Sequence, residues 1–80
     1  MKTVRIDWVD SCVSDTRWQL LEDFDTDIEP INISTYGMVV KENDDYIVVA
    51  QSYGTNPPQI CSTMSIPKGY IKKITEIEEI

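Results

Sequence analysis

Apolar and polar residues alternate from the start of the chain: Val4, Ile6 and Trp8 fall on one face and Arg5 and Asp7 on the other, the period of a half-buried strand over residues 3–9. Small polar residues then take over at 10–15, a composition suited to a turn or a helix cap, with Asp10 or Ser11 closing the strand while Trp8 packs inward. Over residues 16–24 the period changes. Trp18, Leu20, Leu21 and Phe24 recur at spacings of three and four, behind Ser14 or Asp15 as N-cap, and predict one short helix. Pro30 and the acids before it mark an exposed connection.

The β-branched stretch 31–41 predicts a second strand, and residues 46–52 a third, with the polar turn Glu42-Asn43-Asp44-Asp45 between them making a hairpin. Gly54 and the pair Pro57-Pro58 place residues 53–58 in a loop, because a central strand does not accommodate two prolines. A fourth strand follows at 59–66, with Ile60, Ser62, Met64 and Ile66 on one face. After a tight turn at Pro67-Lys68-Gly69, the spacing of Ile71, Ile74 and Ile77 would suit a helix, but the β-branched content suits a single turn leading into a last short strand. Of the glycines, Gly37 is expected at a strand bend and Gly54 and Gly69 in turns. Together these elements predict a mostly β fold: a small five-stranded, strongly bent sheet, or an SH3-like or Sm-like barrel, with one short helix after strand one. Eighty residues suffice for a single domain over residues 1–80, and a core this small gains from a partner subunit.

Charge and chemistry narrow the function more than they define it. The net charge of −7 opposes general nucleic-acid binding, although Lys68, Lys72 and Lys73 leave room for a local anion site. Histidine is absent, and Cys12 and Cys61 stand apart, so the expectation is two half-buried thiols in a reducing cytosol, without zinc, haem or another cofactor. The run Asp23, Asp25, Asp27, Glu29 imitates the opening of a calcium loop, but Ile28 stands where that loop needs glycine and Ser34 where it needs a closing glutamate; it reads as a solvated acidic loop. No nucleophile motif, dinucleotide fingerprint or phosphate loop occurs, so neither catalytic nor metal-ligating residues are assigned and an enzyme is not expected. A charged N-terminal stretch and the lack of a long apolar run predict a cytoplasmic protein without a membrane role.

What remains is a set of aromatics near loops, Trp18, Tyr36, Tyr53 and Tyr70, which with Lys68 and Lys72 could line a pocket where a ring stacks and ammonium groups meet an anion. The chain also carries Asp7-Trp8-Val9-Asp10-Ser11, Trp18, the central run Ser34-Thr35-Tyr36-Gly37-Met38-Val39-Val40-Lys41-Glu42, then Val48-Val49-Ala50-Gln51-Ser52 and the run from Ile66 through Pro67-Lys68-Gly69-Tyr70 to Ile74. In these it resembles small proteins encoded in phages, prophages and mobile elements of gut bacteria. The resemblance implies a small β-barrel and a mobile-element origin, and brings no catalytic residues. Two functions are consistent with all of this. One is a non-enzymatic protein-binding or assembly module, with a protein partner or self-association; the alternative is a protein that binds or sequesters a small anionic, nucleotide-type ligand.

Overall fold

The structure is a computed structural model in which residues 1–11, 18, 20–23 and 29–78 are described. Five antiparallel strands, β1 (Thr3–Asp10), β2 (Ile31–Glu42), β3 (Tyr46–Thr55), β4 (Pro58–Pro67) and β5 (Ile71–Ile77), form one sheet in the order β4-β3-β2-β1-β5. Strands β4 and β5 are its edges, so the sheet is open; the expected barrel closure is not made.

β2 divides its pairing between two neighbours. Residues 31–38 pair with β1, from Asp10↔Ile31 to Thr3↔Met38, whereas residues 38–42 pair with β3, from Met38↔Ala50 to Glu42↔Ile47. At the hand-over the register shifts between Val39 and Lys41, leaving Val40 as the extra residue of a bulge, a device that kinks a strand and increases its twist. Gly37 lies one residue before the hand-over, in tight contact with β3: a Cβ built there would stand 3.0 Å from the Ala50 carbonyl oxygen and 3.0 Å from Val49 Cβ. The bend predicted at Gly37 is therefore a close crossing of two strands.

Folding the two halves of the sheet towards each other creates the core. Val4 and Ile6 of β1 meet Ile47 and Val49 of β3 and Ile66 of β4, with Trp8, Val39 and Ile71 packed around them. The alternation that placed Val4, Ile6 and Trp8 on one face holds, and the Trp8 indole N–H donates to Thr35 Oγ1 across the β1–β2 pair at 2.9 Å. Among the described residues every buried side chain is apolar.

The turn between β2 and β3 is built by Asn43, whose Oδ1 accepts from the backbone N–H groups of Asp45 and Tyr46, both at 2.9 Å. Lys41 places its ammonium 5.4 Å from the centroid of the Tyr46 ring beside this turn, within cation–π range. A 3-10 turn, Lys68–Tyr70, leads into β5, as the single turn before a last strand anticipated.

Three expectations need correction. Residues 53–58 are not a loop: β3 runs on to Thr55, β4 begins at Pro58 opposite it, and Gly54 sits inside β3 opposite Gln59. Pro58 is compatible with this because it is the first residue of an edge strand, where its missing N–H leaves no ladder bond unmade. The helix predicted over residues 16–24 falls partly on residues outside those described; what is described there is one 3-10 turn, Leu21–Asp23, with Trp18, Leu20 and Leu21 exposed. A short helix is held by burial of its apolar stripe, and among the described residues no element covers these side chains. Cys61 is an exposed free thiol and not half-buried, while Cys12 lies outside the described residues.

Candidate functional site

The least conventional part of the molecule is the β3–β4 hairpin. From Tyr46 to Pro67 it contains no Asp, Glu, Lys or Arg; all fourteen acids and seven bases of the chain lie elsewhere. Near its base the hairpin belongs to the sheet, and Ile47, Val49 and Ile66 are core residues. Beyond Ala50, β3 has no pairing to β2, and the hairpin continues as a two-stranded arm through Ser52↔Cys61, Tyr53↔Ile60 and Gly54↔Gln59 to Thr55↔Pro58 at its tip.

Met64, paired with Val49, continues the side on which Ile66 is buried, and farther out along the arm Tyr53 pairs with Ile60. There the side chains lose their cover: Met64 is 44% exposed, Ile60 42% and Tyr53 46%. Tyr53 and Ile60, with Ser52, Gly54, Gln59 and Cys61, line a shallow hollow of ≈ 320 Å³. Midway along β4, Ser62 adopts φ 56°, a left-handed conformation that costs a non-glycine residue about 1 kcal/mol or more, and the ladder skips the pair it would make with Gln51. Among the described residues the outer side of β4, ten residues long, is unpaired.

The opposite edge is constructed differently. β5 carries Lys72, Lys73 and Glu76, and charge on an edge strand discourages addition of another strand. Beside it, register assembles a polar face from residues far apart in sequence. Asp7 lies opposite Ser34 on one side and Lys73 on the other, and its Oδ1 accepts from Ser34 Oγ at 2.6 Å and from Arg5 Nε at 3.1 Å. Lys72, the extra residue at the register shift in β5, donates from Nζ to Asn32 Oδ1 at 2.8 Å.

The Ser34 hydrogen bond, followed by Arg5 and Lys73, holds the Asp7 carboxyl below its ordinary pKa, and Lys68, 2.8 Å from Glu42, does the same for that carboxyl. A carboxylate whose folded pKa is depressed adds stability above its unfolded value, about 3.9 for Asp, and loses it as pH falls through the folded pKa. The Asp7→Asn variant is thus expected to be less stable than the parent at pH 7, and the difference to shrink as pH falls through the depressed folded pKa of Asp7. Urea midpoints across pH 2–7 read this directly; parallel curves for the two proteins would remove Asp7 from the acid response.

The six residues expected to form a ligand pocket lie at separate places. Tyr53 is on the arm. Lys68 is tied to Glu42 beside the β2–β3 turn. Tyr36 is exposed on the outer face of β2 opposite Arg5, and Trp18 is exposed in the connection between β1 and β2. Only Tyr70 and Lys72 come to one end of the sheet, Tyr70 lining a hollow of ≈ 370 Å³ with Val9, Asp10, Ser11 and Pro30, and Lys72 bonded to Asn32 close by. The arm's exposed apolar residues Ile60 and Met64, and the polar group Arg5, Asp7 and Ser34, went unpredicted. An uninterrupted run without charge was the available signal for the former. No protein-family model matches the chain, and no curated protein or solved structure shows significant similarity to it.

Proposed function

We propose that this chain is a non-enzymatic protein-binding or assembly module that acts through its charge-free hairpin. The observation that carries the reading is the combination, in one element, of a β4 edge unpaired among the described residues, no charge from Tyr46 to Pro67, and exposed Tyr53, Ile60 and Met64. Such an edge binds by strand addition: the partner's extended backbone satisfies the free N–H and C=O groups, and alternate side chains meet the apolar face. A phage or mobile-element origin and a cytoplasmic setting belong to the same proposal. The finer reading of the sheet as an opened SH3-like or Sm-like barrel draws support from its five antiparallel strands and the sharp bend at Val40. The small-ligand alternative has weaker support, since its residues do not line one hollow.

Selection of displayed random peptides on the immobilised chain tests the proposal. The parent is expected to enrich uncharged, β-branched segments, and Thr63→Lys, which sets a charge in the middle of the edge, to lose that enrichment. Equal enrichment by both proteins, or none by the parent, would overturn it.

A further inference from the structure

We infer that the outer face of the sheet, where β1 lies between β2 and β5, binds a small phosphorylated ring compound of the nucleoside diphosphate kind, its ring on Tyr36 and its phosphates on Lys72 and Lys73. The site is separate from the hairpin and does not depend on it.

Register brings the parts of the site together. With Val4, Ile6 and Trp8 turned into the core, Arg5 and Asp7 face outward from β1. Arg5 stands opposite Tyr36, Asp7 between Ser34 and Lys73, and Val9 opposite Asn32. Lys72, the extra residue at the β5 register shift, reaches over the same face to Asn32. Along β1, β5 and residues 31–38 of β2, this face sets three bases, Arg5, Lys72 and Lys73, against the single acid Asp7, in a chain where fourteen acids outnumber seven bases. Arg5 Nε and Ser34 Oγ already meet the charge of that acid, whereas the hydrogen bond of Lys72 is to a neutral amide. The patch therefore attracts anions on a surface that elsewhere repels them.

Chemistry and size select the ligand. Adjacent ammonium groups suit the closely spaced charges of a diphosphate, and Tyr36, 56% exposed, offers a ring face for stacking. Two strand spacings across and two residues along set the backbones of Tyr36 and Lys73 on the order of 12 Å apart, a gap that a ring, a sugar and two phosphates in a row can span. A long polyanion would extend past the patch and meet the acids that give the chain its charge of −7; a diphosphate stays within it. Tyr36 and Lys72 belong to the set expected from the sequence to bind a ligand, and register supplies the partners that the sequence did not reveal, Arg5, Ser34 and Lys73.

Titration of the isotopically labelled full chain with ADP at low salt, up to about 5 mM and followed by amide chemical shifts, tests this. Saturable shifts are expected at Arg5, Ser34, Tyr36, Lys72 and Lys73, and not around Tyr53 and Ile60. Tyr36→Ala and the double variant Lys72→Gln with Lys73→Gln are each expected to weaken ADP about 10-fold or more. Circular dichroism verifies that each variant keeps its sheet, and the shift map of the parent holds whether or not they do. Inorganic pyrophosphate and adenosine separate the two contacts: each alone is expected to bind at least about 10-fold more weakly than ADP, because linking them makes the second contact intramolecular. A short oligothymidylate is expected to bind no tighter than ADP. The absence of saturable shifts with ADP, shifts centred on the hairpin or on Lys68, pyrophosphate as tight as ADP, folded variants that bind like the parent, or tighter binding of the oligothymidylate would each overturn the assignment.

Discussion

Replacement of Ile6 by alanine is expected to leave the chain largely unfolded at 25 °C or melting well below the parent. Ile6 is 0% exposed and stands at the junction of the two halves of the sheet, against Ile47, Val49 and Ile66. Truncating such a side chain removes transfer free energy and leaves a cavity, together about 2–5 kcal/mol. A core of this size supplies about 3–5 kcal/mol in total, so one truncation removes most of the margin. Ile74, its neighbour across the β1–β5 pair, is 40% exposed, and its replacement by alanine is expected to cost about 1 kcal/mol or less. Urea denaturation followed by tryptophan fluorescence and circular dichroism compares the two; similar losses for both would mean that the junction is not the centre of stability.

The second large effect is expected at Gly37, for a different reason. No glycine among the described residues has positive φ, so backbone freedom is not what this position requires; what it lacks is room. The Gly37→Ala methyl group would meet the Ala50 carbonyl oxygen at 3.0 Å, and a backbone atom held in a ladder cannot rotate aside. Overpacking of this kind costs about 1–3 kcal/mol, and Gly37→Val, with two more methyls against Val49 Cγ2, is expected to exceed that range. Val49→Ala would relieve only the Cγ2 contact and is not expected to rescue either variant. Gly69→Ala is the control: nothing lies within 4 Å of its added Cβ, and restriction of the unfolded chain makes it neutral or slightly stabilising. Equal melting temperatures for the two alanine variants would contradict a close crossing at Gly37.

Local pattern revealed the parts of this fold that local physics controls. Alternation at Val4, Ile6 and Trp8 identified β1 and its buried face, and Asn43 marked the turn it builds with its own side chain. Pro58 misled because its tolerance depends on whether its strand is central or at an edge, a property of the whole sheet. Trp18, Leu20 and Leu21 have helical spacing, but spacing stabilises a helix only when another element receives its apolar side. The Asp7 cluster was hidden for a related reason: Ser34 becomes its neighbour only through the β1–β2 register. At the arm, attention to individual aromatics obscured a property of the segment, its continuous lack of charge.

The position of β1 between β2 and β5 also bears on the order of assembly. β2, β3 and β4 are joined by short turns and can pair as soon as they exist, whereas the outer ladder of β1 brings Thr3 to Ile77. Long loop closures of this kind slow folding, because their entropy is lost before their contacts form. During synthesis from the N-terminus, β1 is made first yet gains its last neighbour only when β5 has emerged. Until then β1 can pair only with β2, and the strand that carries Val4 and Ile6 of the core keeps one open edge.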